Sequence, residues 1–139
     1  MRTIAAFFSL FMPGCGQFYN GNIFRGIVFI VIEHFDNIFG RINHALYLDL
    51  NGYHREALST VDFQYSLFYP CFYAYCVWDA WFYAKSGGDK VKSAIPYLIA
   101  AFTGTMGTLF ASRIPIPTFT VGFVMALIML TGIYLFRKE

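Results

Sequence analysis

Charge is what this chain has least of. Lys, Arg, Asp and Glu make up 13% of its 139 residues, about half the share of a typical soluble domain, and residues 3–24 carry none. The net charge of +2 is too small and too scattered to suggest a nucleic-acid-binding surface. Cysteine is scarce too. Cys15, Cys71 and Cys76 are odd in number and form no Cys-x-x-Cys, so neither a disulfide framework nor a zinc site is indicated. All three are expected to act as small buried apolar residues. Catalytic signatures are missing. There is no Gly-x-Ser-x-Gly, no phosphate loop ending in Lys-Ser or Lys-Thr and no His-Glu-x-x-His. Gly14-x-Gly16 follows no strand, so it opens no dinucleotide-binding unit. The expectation is a protein without enzyme activity, catalytic residues, cofactor or bound metal.

What is present is apolar and aromatic: 58% hydrophobic residues and 21% Phe, Trp and Tyr. That balance points to lipid as the solvent. At about 20 residues per crossing, the chain is long enough for an all-α membrane bundle of five transmembrane helices, or four if the first is re-entrant. Residues 1–84 would hold a hairpin and an aromatic third helix, and 85–139 a C-terminal helical hairpin, both within one membrane domain.

Thr3 to Tyr19 is the first segment, interrupted at Pro13-Gly14. As one helix it would just cross a ~30 Å hydrocarbon core. A signal-like reading of Met1-Arg2 and the apolar run after it is the alternative. The second starts near Ile23 and is apolar through Gly26–Ile32. It is expected to continue past Gly40 to Leu50, with Ile42, Leu46 and Leu50 at four-residue spacing, and to end at the Asn51-Gly52 turn signal. Residues 41–62 form the largest polar connection, expected along a membrane surface. The third, Phe63 to Ala84, holds eleven aromatic residues between Phe63 and Tyr83 and is expected to kink at Pro70. Lys85-Ser86-Gly87-Gly88 opens a polar loop. Ser93–Ser112 and Thr118–Phe136 are uncharged runs joined by a two-proline link. Ala100, Gly104 and Thr108 on one, and Gly122 and Ala126 on the other, supply small residues of the kind that let membrane helices approach.

Two polar groups stand out. Arg25 and Asp79 fall on the same side of a five-span arrangement, with Gln17 and Tyr19 at that level. They are read as a structural clasp between helices, helped by Tyr75 and Tyr83, or as a pocket for an ion or headgroup. Charges within a span are costly unless paired. Glu33, His34 and Asp36 form the second group, with Asn37 sharing the face of Glu33 and Asp36 and His34 about 100° away. They are read as a helix end emerging into water, or as part of a proton or cation path.

Pro13-Gly14-x-Gly16-Gln17-x-Tyr19-x-Gly21, the basic-glycine pair Arg25-Gly26 and Trp78-Asp79-Ala80 resemble a pattern in small bacterial multi-pass membrane proteins. The pattern is also distantly similar to the two-transmembrane-helix domain family. The resemblance covers residues 10–26 and 75–84; it implies a bacterial membrane protein and brings no established activity. Five spans would set Arg25, Lys85, Lys90, Lys92, Arg137 and Lys138 against Arg2, Arg41, Arg55 and Arg113, favouring a cytoplasmic C-terminus and an external N-terminus. The expected role is a non-enzymatic accessory or scaffold protein of the plasma membrane. Its partners would be the lipid bilayer and itself or other membrane proteins, with no nucleic acid. The alternative is a small ion or proton transporter or channel using Glu33, Asp36 and Asp79.

Overall fold

The computed structural model describes residues 1–84 and 88–137, which are helical with no strand among them. The expected loop at Lys85-Ser86-Gly87 and the tail cation Lys138 lie outside the described residues. Helix α1 (Arg2–Phe11) has ten residues, or ~15 Å, half the length needed to cross a bilayer. Pro13 is buried and Gly14 has φ 100°, a left-handed conformation that glycine adopts without strain. The chain therefore reverses there and returns as α2 (Cys15–Tyr19). The two ends of this excursion meet: the Met1 ammonium donates to the Tyr19 hydroxyl at 3.3 Å. Of the two courses expected for residues 3–19, a single straight helix and a reversal, the chain takes the reversal. The segment doubles back on itself, and its tip is at Pro13-Gly14.

A turn at Gly21 (φ 77°) leads into α3 (Ile23–Gly40). The expected continuation to Leu50 does not occur, because Arg41 is left-handed (φ 53°) and α4 (Ile42–Leu50) starts afresh. Asn37 Oδ1 accepts the Asn43 N–H at 2.9 Å, satisfying one of the free amides that a new helix start creates. Helix α4 ends at Asn51-Gly52, as its turn signal predicts, and is followed by α5 (His54–Thr60) and α6 (Phe63–Ser66). The third segment is likewise not one kinked helix. It consists of α6, a turn at Leu67-Phe68, and α7 (Tyr69–Tyr83). Pro70 lies in the first turn of α7, where the amide it lacks would have no helical partner.

Asp89 caps α8 (Lys90–Leu109), accepting from the amides of Val91 and Lys92. A short 3-10 turn at Ala111–Arg113 then leads to α9 (Pro117–Leu135). Helices α8 and α9 pack through their small residues. A Cβ on Gly104 would fall 2.3 Å from Met125 Sδ and 2.7 Å from Pro70 Cβ, and one on Gly132 would fall 2.7 Å from Pro96 Cβ.

Helix α7 is the centre. Phe72, Ala74, Cys76, Val77, Trp78, Asp79, Ala80 and Trp81 are all buried. Helix α1 runs antiparallel to it, with the Arg2 guanidinium 4.7 Å over the Trp81 ring and the Tyr73 hydroxyl donating to the Leu10 carbonyl. Helix α3 is antiparallel to it too. Arg25 meets Asp79, Phe29 lies 5.9 Å from both Phe72 and Tyr75, and Glu33 meets Tyr69. The outer surface is apolar: Phe24 on α3, Leu98 and Phe102 on α8, and Phe123 and Leu135 on α9 are exposed. Among the described residues α9 is the one helix long and apolar enough to cross a membrane, so the all-α class holds while the expected five spans are not shown. Of the cysteines only Cys76 is buried, and Cys71 is exposed, which corrects the expectation that all three are buried.

Candidate functional site

The site is built where α2 is pressed between α1 and α7. Gly16 makes that approach possible. A Cβ there would stand 2.1 Å from the Ala5 carbonyl oxygen and 2.6 Å from Ala80 Cβ. The same contact carries Gln17 into the core, where 1% of it remains exposed. Its Nε2 donates to the Cys76 carbonyl and to Asp79 Oδ2, both at 2.9 Å, while its Oε1 accepts from Ser9 Oγ at 2.9 Å. Ser9 Oγ in turn accepts the Gly16 N–H at 3.1 Å. An amide offers two N–H donors and one carbonyl oxygen, and here both donors and the oxygen are engaged.

Arg25 closes the other side. Its Nη1 lies 2.8 Å from Asp79 Oδ1, and its guanidinium stands 4.8 Å over the Tyr83 ring. Asp79 is 1% exposed and Arg25 36%, so one end of the pair is desolvated and the other reaches the surface. Asn20 Nδ2 adds a bond to the Ala80 carbonyl at 2.8 Å. Both Asp79 oxygens are committed, leaving the group suited to joining helices rather than to proton transfer.

Gln17, Arg25 and Asp79 are thus brought together. Tyr19 is not with them. Its ring lies 5.4 Å from Phe8, and its hydroxyl bonds to Met1. Tyr83 contributes its ring face to Arg25. Ser9 is the member that sequence reasoning missed; it is the lone hydroxyl within the run from Ile4 to Phe11.

The second group is split. Glu33 Oε1 accepts from Asn37 Nδ2 at 3.2 Å and from the Tyr69 hydroxyl at 3.4 Å. His34 is exposed, with its ring near Phe35. Asp36 is buried, and its Oδ2 has no hydrogen-bond partner among the described residues. Among the described residues no three His, Cys, Asp or Glu side chains lie close enough to hold a metal ion.

A third polar contact has no local signal. Asp49 is 1% exposed. Its Oδ2 accepts the Thr118 N–H at 2.6 Å and its Oδ1 lies 3.1 Å from His54 Nδ1. It joins the α4–α5 connection to the start of α9. No protein-family model matches the chain, and comparison with curated proteins and with solved structures also gives no match.

Proposed function

We propose that this is a multi-pass helical protein of the plasma membrane, crossed four times by α3, α7, α8 and α9. Residues 1–19 enter from one face as a re-entrant hairpin and leave by the same face. The observation that carries this reading is the inverted distribution of polarity. Asp79 and Gln17 are at the centre, while large apolar side chains of α3, α8 and α9 face outward. At 18 to 20 residues these three helices have the length of a bilayer core, ~27–30 Å.

The re-entrant hairpin also sharpens the charge bias. With Met1 beside Tyr19, the described cations divide into Arg2, Arg25, Lys90, Lys92 and Arg137 at one end, and Arg41, Arg55 and Arg113 at the other. Five against three favours both termini in the cytoplasm.

Within the membrane the protein acts as a non-enzymatic accessory that assembles with itself or with other membrane proteins. The support is a band of stacked, outward-facing rings: Phe35, Phe39 and Tyr65, with successive centroids 5.9 and 5.3 Å apart. Crosslinking in native membranes tests it. Phe35→Ala with Phe39→Ala should remove a crosslinked species while leaving thermal stability unchanged. Migration as a lone chain in native membranes at every expression level would contradict it.

The transport reading draws on Glu33, which lines an internal cavity. It predicts that Glu33→Gln abolishes ion flux in reconstituted vesicles. The closed bonding of Asp79 weighs against a path through that residue.

A further inference from the structure

Beneath the tip of the α1–α2 hairpin the bundle is not filled. Since α1 stops halfway, a cavity of about 560 Å³ opens there, within the size range of small-molecule sites. Pro13 of the hairpin tip, Leu46 of α4 and Met125 of α9 are among its apolar lining residues. Among the described residues the lining contains one charged side chain, Glu33, and neither Lys nor Arg. Both hydrogen bonds that Glu33 receives fall on Oε1, so Oε2 is left to a ligand. Ser66 also lines the cavity. It is 6% exposed, and its Oγ has no hydrogen-bond partner among the described residues, an exception to the rule that buried hydroxyls are paired.

We propose that this cavity binds a single hydrocarbon chain bearing a primary ammonium head. The chain would occupy the apolar lining. The ammonium would donate to Glu33, with Ser66 Oγ as a further acceptor. An ammonium has three donors and no acceptor, which suits the Glu33 carboxylate and the Ser66 hydroxyl oxygen of this lining. A carboxylate or phosphate head would meet Glu33 with like charge and no cation to offset it. An alcohol would leave the Glu33 charge uncompensated in an apolar site. The inference does not depend on the protein assembling with anything.

A primary ammonium is carried by a free long-chain amine and also by an aminophospholipid, whose ammonium offsets its own phosphate and which would seat one of its two acyl chains in the cavity. The test therefore has two arms. Dodecylamine, dodecanol and lauric acid are titrated onto the full-length protein in a nonionic detergent, with thermal shift and native mass spectrometry as readouts. The protein is also released for mass spectrometry from nanodiscs of phosphatidylethanolamine or phosphatidylglycerol. Dodecylamine should form a one-to-one adduct and bind roughly tenfold or more tighter than dodecanol, with lauric acid not bound. Glu33→Gln should remove the preference for the amine. Leu46→Trp, which fills apolar space in the cavity and leaves the Glu33 and Ser66 side chains in the chain, should block dodecylamine and dodecanol alike. Retention of phosphatidylethanolamine alone, or of dodecylamine alone, supports the site and names its source. Lauric acid binding as tightly as dodecylamine would overturn the proposal. So would dodecylamine binding that neither substitution alters.

Discussion

Gln17 and Asp79 lie 2.9 Å apart in the middle of the protein, joined by an amide N–H and a carboxylate oxygen. The bond crosses from a five-residue helix, too short to be stable alone, to the most buried helix of the bundle. Gln17 also donates to the Cys76 carbonyl, so its loss removes a bond from two buried acceptors at once. Leucine at this position fits the space but donates nothing. Gln17→Leu should cost about 1–3 kcal/mol and lower the melting temperature in detergent. Gln17→Glu should be worse, since it sets a second carboxylate against Asp79. A Gln17→Leu protein as stable as wild type would show that the amide bonds contribute nothing.

Arg25 and Asp79 form the one ion pair between α3 and α7 among the described residues. Breaking a buried pair from one side costs about 3–5 kcal/mol, and Arg25 is partly solvated, so the lower end applies. Arg25→Asp or Asp79→Arg alone should sharply reduce membrane abundance. The double exchange should recover only part of it, because Gln17 Nε2 would then face a cation instead of an anion. Recovery is read from quantitative blotting of membrane fractions. Full recovery would mean that Gln17 is indifferent to the charge at residue 79.

Glycine content alone does not mark which glycines matter; their surroundings do. Gly16→Ala forces a methyl to within 2.1 Å of a backbone oxygen, so α1 and α2 must separate. Gly122→Ala meets nothing within 4 Å and gains helix propensity of up to ~1 kcal/mol. The first should unfold or mislocalise the protein, and the second should leave it unchanged or slightly more stable. Thermal melts of the two purified variants decide between them.

Asp49 acts as a cap supplied from 69 residues away. Ile116, the residue before α9, has φ 48° and offers no side-chain cap to the helix. Asp49→Ala should therefore cost about 0.5–2 kcal/mol, the range for losing a helix cap. Asp49→Asn, which keeps an acceptor, should cost less. Hydrogen exchange at the Thr118 amide should quicken in the alanine variant only.

Sequence signals were informative where the chemistry is local. The amide-bearing glycine turn, the charge at Arg25 and the helical arithmetic that places Asp79 near one end of its helix were all legible, as was the turn at Asn51-Gly52. The reversal at Pro13-Gly14 was legible only as one of two alternatives, because the residues from Thr3 to Tyr19 are long enough as one helix to cross a bilayer. Arg41 adopts a left-handed conformation that arginine does not advertise, and the bond that supports it comes from Asn37, a turn earlier. Pro70 was legible as a helix irregularity. Whether it kinks a helix or starts one depends on the Leu67-Phe68 turn before it. The Asp49–Thr118 bond joins residues far apart in the chain, and spacing carries no trace of it.

The most direct test of the four-span arrangement is the sidedness of the two termini. Small epitope tags at the N- and C-termini of one protein can be probed with protease in intact spheroplasts and again after permeabilisation. The re-entrant hairpin predicts that both tags are protected until the membrane is opened. An N-terminal tag cleaved in intact spheroplasts, with the C-terminal tag protected, would mean that residues 1–19 cross the bilayer, and would contradict it.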